Sequence, residues 1–261
     1  NQNEFPKEQL KIDGQRNIKM RSKLILLTAL CLTFTASCIT KKPPVKITPY
    51  KYKIDAASHL PVVYVSFVYT TNRPEAKVFD TRLQMYKELE ILNRYFLDED
   101  NQKIFKFKIN HYYSYQDFSK RKCELANRLN QPTALIPDNI PSAVKSCFPK
   151  RKSKEVLFII YDAYNQKLKY NDITSWGFRN QGQPFILIDW ERLNYQTQAA
   201  SIHEMGHAFG LGHVCAPRAK KSTPTNIMTS YDCRLGSGGL RNLGFTSEQL
   251  NTILQNYAKY P

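Results

Sequence analysis

Residues 203–213 read His-Glu-Met-Gly-His-Ala-Phe-Gly-Leu-Gly-His, which gathers three of the chain's five histidines and one carboxylate into a single short stretch. On a helix, His203 and His207 stand at i and i+4 and lie one above the other on the same face. Two imidazoles so placed can converge on one ion. A catalytic zinc site uses nitrogen ligands at about 2.0–2.1 Å, three of them from the protein, and keeps a fourth position open for water. The third ligand, His213, must then arrive from another direction. Gly210 permits this, because a residue without Cβ can take positive φ, end the helix and let the chain double back. Glu204 follows the first ligand and is turned roughly 100° around the helix axis, so it sits beside the ion rather than on it. From there it can accept a proton from an attacking water and pass it to a leaving amine, while zinc lowers the water's pKa toward about 7 and polarises the scissile carbonyl. The bland reading of a histidine, a satisfied core or surface residue, suffices for His59 and His111, which have no partners at ligand spacing.

Several elements must hold this constellation in place. Residues 62–69 form a β-branched and aromatic run typical of a buried strand. Leu83, Tyr86, Leu89, Leu92 and Phe96 recur at helical spacing and predict an amphipathic helix over about 81–97. Further strands are expected at 104–109, 156–161, 173–178 and 185–190, the last two separated by Asn180-Gln181-Gly182. The prolines between Pro132 and Pro149 predict an irregular connection. Helices are expected over about 197–209 and 247–257, and Thr246 with Gln249 fits a capping box. No internal repeat is visible. This order of elements is that of an α/β sandwich with a smaller irregular lower part.

The string at 203–213, with Gly206 inside it, resembles the zinc helix of the metzincin metallopeptidases, and its central wording is closest to that of matrixins. The resemblance implies one catalytic Zn²⁺ held by His203, His207 and His213, with Glu204 as general base. It also implies a turn bearing a methionine beneath the zinc. Asn226-Ile227-Met228-Thr229-Ser230-Tyr231 fits, making Met228 the Met-turn residue, against the alternative of an ordinary buried methionine. The fold it implies is α/β, a twisted, mostly parallel five-stranded sheet with two helices above the cleft and a smaller irregular C-terminal subdomain ending in a helix. In such a fold an edge strand above the cleft binds substrate backbone by strand addition. The stretch 173–178 is the candidate, and Trp176 within it reads equally well as core. Specificity is expected in the loop 232–243, whose Gly236, Gly238 and Gly239 imply a flexible or tightly turning wall. One departure matters: where some members place a zinc-reaching tyrosine two residues after the methionine, this chain has Ser230, and Tyr231 follows, so no tyrosine ligand is carried over.

The remaining features bear on location and partners. Met20, Arg21 and Lys23 precede an apolar run, 24–34, that is too short for a comfortable membrane span. Thr35-Ala36-Ser37-Cys38 follows it and resembles the lipobox of bacterial lipoproteins, although Thr35 stands where that pattern has an aliphatic residue. Residues 20–38 are therefore expected to be a signal peptide with Cys38 as lipid anchor, and 1–19 an extension upstream of the true start. The Lys-, Pro- and Thr-rich stretch 39–60 reads as a tether, and 61–261 as the metallopeptidase domain. Cys123, Cys147, Cys215 and Cys233 suit an oxidising compartment. Nearest-neighbour pairing, Cys123 with Cys147 and Cys215 with Cys233, closes the shortest loops, and free buried thiols are the alternative. The 38 Lys+Arg against 22 Asp+Glu give a net charge of +16 and a field that favours anionic partners. The basic residues are scattered without a nucleic-acid motif, so no specific nucleic-acid partner is expected.

Together these readings predict a monomeric zinc-dependent endopeptidase at the bacterial cell envelope, extracytoplasmic and lipid-anchored or else secreted, acting on protein or peptide substrates. A non-catalytic, zinc-stabilised binding or adhesion module is the alternative, and Glu204 argues against it, because a structural zinc has no use for a base and prefers four protein ligands. Binding of anionic envelope polymers by the basic surface is a third reading.

Overall fold

The computed structural model describes residues 59–129, 139–162, 164–165, 170–171, 175–194, 200–216, 218–230 and 239–261. The expected signal segment, Cys38, the tether, Tyr231 and Cys233 lie outside these described residues. The fold is mixed α/β. Its centre is a five-stranded sheet built from β1 (Val62–Tyr69), β2 (Lys106–Tyr113), β3 (Glu155–Tyr161), β6 (Ser175–Phe178) and β7 (Phe185–Asp189), in the order β2-β1-β3-β7-β6. The β1–β2, β1–β3 and β3–β7 pairs are parallel, and only β6 runs antiparallel, at the edge. A short hairpin, β4 (Tyr164–Asn165) with β5 (Tyr170–Asn171), stands apart from it.

Parallel strands need crossovers that cover both faces of the sheet, so their side chains are buried on both sides. That is why β3 reads Glu-Val-Leu-Phe-Ile-Ile-Tyr and is buried at every position. Alternation divides the sheet's side chains between two cores. Val65, Phe67, Phe158, Ile160, Ile186 and Ile188 face one core, packed against α2 (Arg82–Tyr95), α6 (Ala200–Ala208) and α7 (Ser247–Lys259). Val68, Leu157, Ile159, Phe185 and Leu187 face the other, packed against α3 (Tyr115–Ser119), α4 (Leu125–Leu129) and α5 (Ile140–Cys147). A one-turn helix, α1 (Pro74–Lys77), precedes α2.

The helix α5 corrects the expectation of an irregular connection between Pro132 and Pro149. Pro141 lies in its first turn, where the missing N–H has no intrahelical partner to lose and the fixed φ favours the helix. The far core therefore has a helical cover that proline content concealed. Cys123 and Cys147, at the end of α5, form the expected disulfide across a Cα–Cα distance of 5.5 Å, and their sequence separation of 24 makes a loop whose closure is worth on the order of 3 kcal/mol.

Below the sheet, aromatic rings join elements distant in sequence. Phe96 after α2 lies 4.6 Å from Phe245 before α7, and Phe105 lies 5.1 Å from Phe209 after α6 and 4.9 Å from Tyr257 in α7. The capping box at Thr246 and Gln249 is present and starts α7 as the sequence predicts.

On α2, the buried Glu88 accepts hydrogen bonds from Gln84 Nε2 at 2.9 Å and from Asn194 N at 2.6 Å, tying the helix to the segment after β7. Burial pushes the Glu88 carboxyl up to about 7, against the pull of those two hydrogen bonds. A folded value above that of the unfolded chain, about 4.3, means that the folded state binds the proton more tightly. The stabilising contribution is then full below about 4.3 and is lost as pH rises through about 7. Denaturant unfolding of Glu88→Gln against the parent from pH 4 to pH 8 is expected to show a stability difference that shifts in favour of the variant over this window. A pH-independent difference would show that Glu88 titrates normally.

Candidate metal centre

Helix α6 carries His203 and His207, and a turn built around Gly210 delivers His213. Gly210 has φ +93°, its N–H donates to the His207 carbonyl at 2.8 Å, and the Leu211 N–H donates to the Gly206 carbonyl at 3.0 Å. These two bonds are the Schellman arrangement that ends a helix at a left-handed glycine. The turn also aims the Leu211 carbonyl back at the helix, where it lies 2.7 Å from His207 Nδ1. On the other ligand, His203 Nδ1 lies 2.7 Å from the Ile227 carbonyl.

A carbonyl oxygen can only accept, so Nδ1 carries the proton in both rings and Nε2 is left with a bare lone pair. Yet His207 Nε2 lies 3.1 Å from His203 Nε2 and 3.0 Å from His213 Nε2. Between His203 and His207, two lone pairs at that separation, with no hydrogen between them, repel unless a cation lies between. Burial, the largest influence, pushes His203 down to about 3, and it also lowers His207, so neither ring relieves the contact by protonation. Tetrahedral ligands at about 2.0–2.1 Å from an ion stand about 3.3–3.4 Å apart, close to the separations found. The three histidines can therefore hold a metal ion, and theirs is the cluster of metal-ligating side chains found among the described residues.

Close backbone contacts fix the helix. A Cβ on Gly177 of β6 would lie 2.0 Å from the Glu204 carbonyl oxygen and 2.7 Å from His207 Cβ, so the edge strand passes directly over the ligand-bearing turns. A Cβ on Gly206 would lie 2.4 Å from Met228 Sδ, so the fully buried Met228 seats directly against the same helix. Met228 is set by Asn226, whose Oδ1 accepts from the Met228 N–H at 2.9 Å and whose Nδ2 donates to the Gly244 carbonyl and to Gln249 Oε1, each at 2.9 Å. The Met228 carbonyl accepts from Val214 N at 2.9 Å, which anchors the strand of chain just past His213. At the far end of α6, Asn256 Nδ2 of α7 donates to the Phe209 carbonyl at 2.8 Å, and the Tyr260 hydroxyl donates to the Ala208 carbonyl. Carbonyls at a helix end otherwise lack partners.

Glu204 is buried beside the first ligand, and that burial pushes its carboxyl up to about 8, opposed by the positive charges of Arg192 and Arg241. A cation at the neighbouring nitrogens would act in the same direction as those arginines, toward the carboxylate. The structure thus brings His203, His207, His213, Glu204 and Met228 into one neighbourhood. Cys215 is disulfide-bonded, which excludes it as a ligand. Its expected partner Cys233, like residues 232–238 of the expected specificity loop, lies outside the described residues, while Gly239 adopts φ +66° against Thr225. Trp176 corrects the core alternative, being 42% exposed on the edge strand.

The sequence reading overlooked Gly177, Arg192, Arg241 and the two orienting carbonyls. Gly177 had a usable signal, because a lone glycine inside a strand marks a close backbone approach. The carbonyls had none, since every residue has one. Comparison of the chain with protein-family models and with curated proteins returns no match. The three-histidine cluster and the mostly parallel sheet are compatible with a zinc metalloprotease.

The glycine contacts predict a graded series. Gly177→Ala meets backbone and is expected to destabilise by about 1–3 kcal/mol, as overpacking does. Gly206→Ala meets the movable end of Met228 and should cost less, and Gly212→Ala, with open space around it, should cost least. Denaturant midpoints for the three variants test the order, and an undiminished Gly177→Ala would show that β6 does not press on α6.

Proposed function

We propose that this chain is a zinc-dependent endopeptidase of the metzincin type. The observation that carries the reading is the convergence of three Nε2 atoms, that of His207 lying 3.0–3.1 Å from the other two, with the buried Glu204 at the position after His203. A closed structural site has four protein ligands, whereas a catalytic one has three and a vacancy for water, and the described residues supply three. Zinc bound there supplies Lewis-acid polarisation of the substrate carbonyl and of the attacking water.

The chain's own groups do the rest. Nδ1–H bonds to Ile227 and Leu211 hold two imidazoles with Nε2 inward, as the outer partners of metal ligands do. Glu204, buried beside the first histidine, accepts the water's proton as it attacks, then gives it to the departing amine. Exposed Trp176 and the edge position of β6 support an extended substrate laid along that strand by backbone pairing.

Incubation of an unstructured protein such as casein with the zinc-loaded chain tests the proposal. The parent is expected to cleave internal peptide bonds. Glu204→Ala is expected to retain stoichiometric zinc and to lose about 100- to 10,000-fold in rate, the usual worth of a general base. A variant with zinc bound and undiminished cleavage would remove Glu204 from the mechanism. A parent that binds zinc but leaves casein and a broad peptide library intact would overturn the peptidase reading.

A further inference from the structure

Six large hydrophobic residues are exposed among the described ones, and three of them, Val78, Leu83 and Tyr86, fall within nine positions, at 70%, 65% and 57% exposure. An isolated surface leucine needs no explanation, whereas apolar side chains grouped in this way mark a surface that meets an apolar phase.

Local structure sets the three together. Val78 caps the C-terminus of α1. The Phe79 N–H donates to the Ala76 carbonyl at 3.0 Å and the Thr81 N–H to the Phe79 carbonyl at 2.7 Å, so the chain turns tightly into α2, whose N-cap is Thr81. At about 100° per residue, Leu83 and Tyr86 lie about 60° apart, on the side of α2 opposite its buried residues Gln84, Met85, Glu88, Ile91 and Leu92. Arg82 flanks Tyr86 at about 40° on one side, and Lys87 flanks Leu83 at about 40° on the other.

The charges are sorted in the same sense. Lys77, Arg82, Lys87 and Arg94 are all exposed. Of the acidic groups along 77–94, Asp80 turns inward to accept from the Tyr112 hydroxyl at 2.7 Å and from the Tyr115 N–H at 2.9 Å, and Glu88 is buried. Glu90 stays exposed.

We propose that the outward face of α1 and α2 docks on an anionic phospholipid surface, with Val78, Leu83 and Tyr86 entering the interface and Arg82 and Lys87 meeting lipid phosphates on either side. An apolar strip bordered by cations is the pattern of helices that lie in a membrane interface. A tyrosine suits that depth, because its ring is apolar and its hydroxyl polar. A second copy of this chain fits the face poorly, since a two-fold contact would set Arg82 and Lys87 against the same cations. Glu90, one turn beyond Tyr86, opposes insertion there, so the end of α1 and the first turn of α2 go deepest. The net charge of +16 draws the chain toward such a surface. The face shares no residue with the metal centre, and the inference does not rest on the peptidase reading.

The test uses the full chain carrying Tyr86→Trp and vesicles whose lipid chains are brominated, either phosphatidylcholine alone or phosphatidylcholine with about one-third phosphatidylglycerol. Bromine quenches an indole only at contact, so the signal reports this position even if the apolar stretch 24–34 also holds the chain to the vesicle. On the anionic vesicles, quenching is expected to exceed that of the parent, whose Trp176 and Trp190 give the baseline. It should be weaker on phosphatidylcholine alone and should fall as salt rises. Adding Arg82→Gln or Lys87→Gln should raise the anionic lipid concentration needed for half of the excess quenching about fivefold, the worth of one cation at such a surface. Quenching no greater than the parent's, or equal on both kinds of vesicle, overturns the proposal. So does an oligomer that forms without lipid and dissociates in Leu83→Ser with Tyr86→Ser, because the face would then belong to self-association.

Discussion

Two backbone carbonyls decide which way the ligand-bearing imidazoles face. Ile227 and Leu211 each place an oxygen 2.7 Å from the Nδ1 of His203 and His207, and only this leaves both Nε2 atoms bare and pointed at each other. Without those acceptors each ring could turn, protonate either nitrogen and satisfy its neighbour by an ordinary hydrogen bond. Much of the lower structure keeps the two carbonyls where they are. Leu211 is held by the turn at Gly210. Ile227 is held by its own N–H donating to the Leu243 carbonyl at 2.9 Å, with Leu243 N donating to the Thr225 carbonyl at 3.0 Å. Asn226 then joins this ladder to the capping box of α7.

The sheet sets the other boundary of the site. Its central strands β1, β3 and β7, buried on both faces, form a stiff wall on which α2 and α6 lie. The antiparallel edge strand β6 bends over α6 closely enough that Gly177 has no room for a side chain. Helix α7 closes the opposite end by donating from Asn256 and Tyr260 to the last carbonyls of α6. The ligand-bearing helix is only Ala200–Ala208 long, too short to be stable by itself, so its order comes from these contacts at its C-terminal end and along its flanks.

The three-histidine cluster was legible in the sequence because helical periodicity turns the spacing of His203 and His207 into a shared face, and Gly210 announces the turn to His213. The central strands were legible for a related reason: burial on both faces demands unbroken apolar runs such as Val156–Ile160, and few other structures do. What escaped was decided by context. Pro141 starts a helix or interrupts one depending on where the first turn falls, and that depends on packing against the far face of the sheet. The roles of Arg241 and Arg192 near Glu204 arise from folding, since nothing local distinguishes them from the chain's other cations. Trp176 could be core or surface until the edge position of β6 was known.

In the proposed site the three imidazoles hold one zinc ion through Nε2. X-ray absorption at the zinc edge, together with metal stoichiometry, measures this directly on the purified chain. The account predicts one zinc per chain, three imidazole nitrogens and one further oxygen at about 2.0–2.1 Å, with one imidazole fewer in His213→Ala. A chain that binds no stoichiometric zinc, or a first shell containing sulfur at about 2.3 Å, would contradict it.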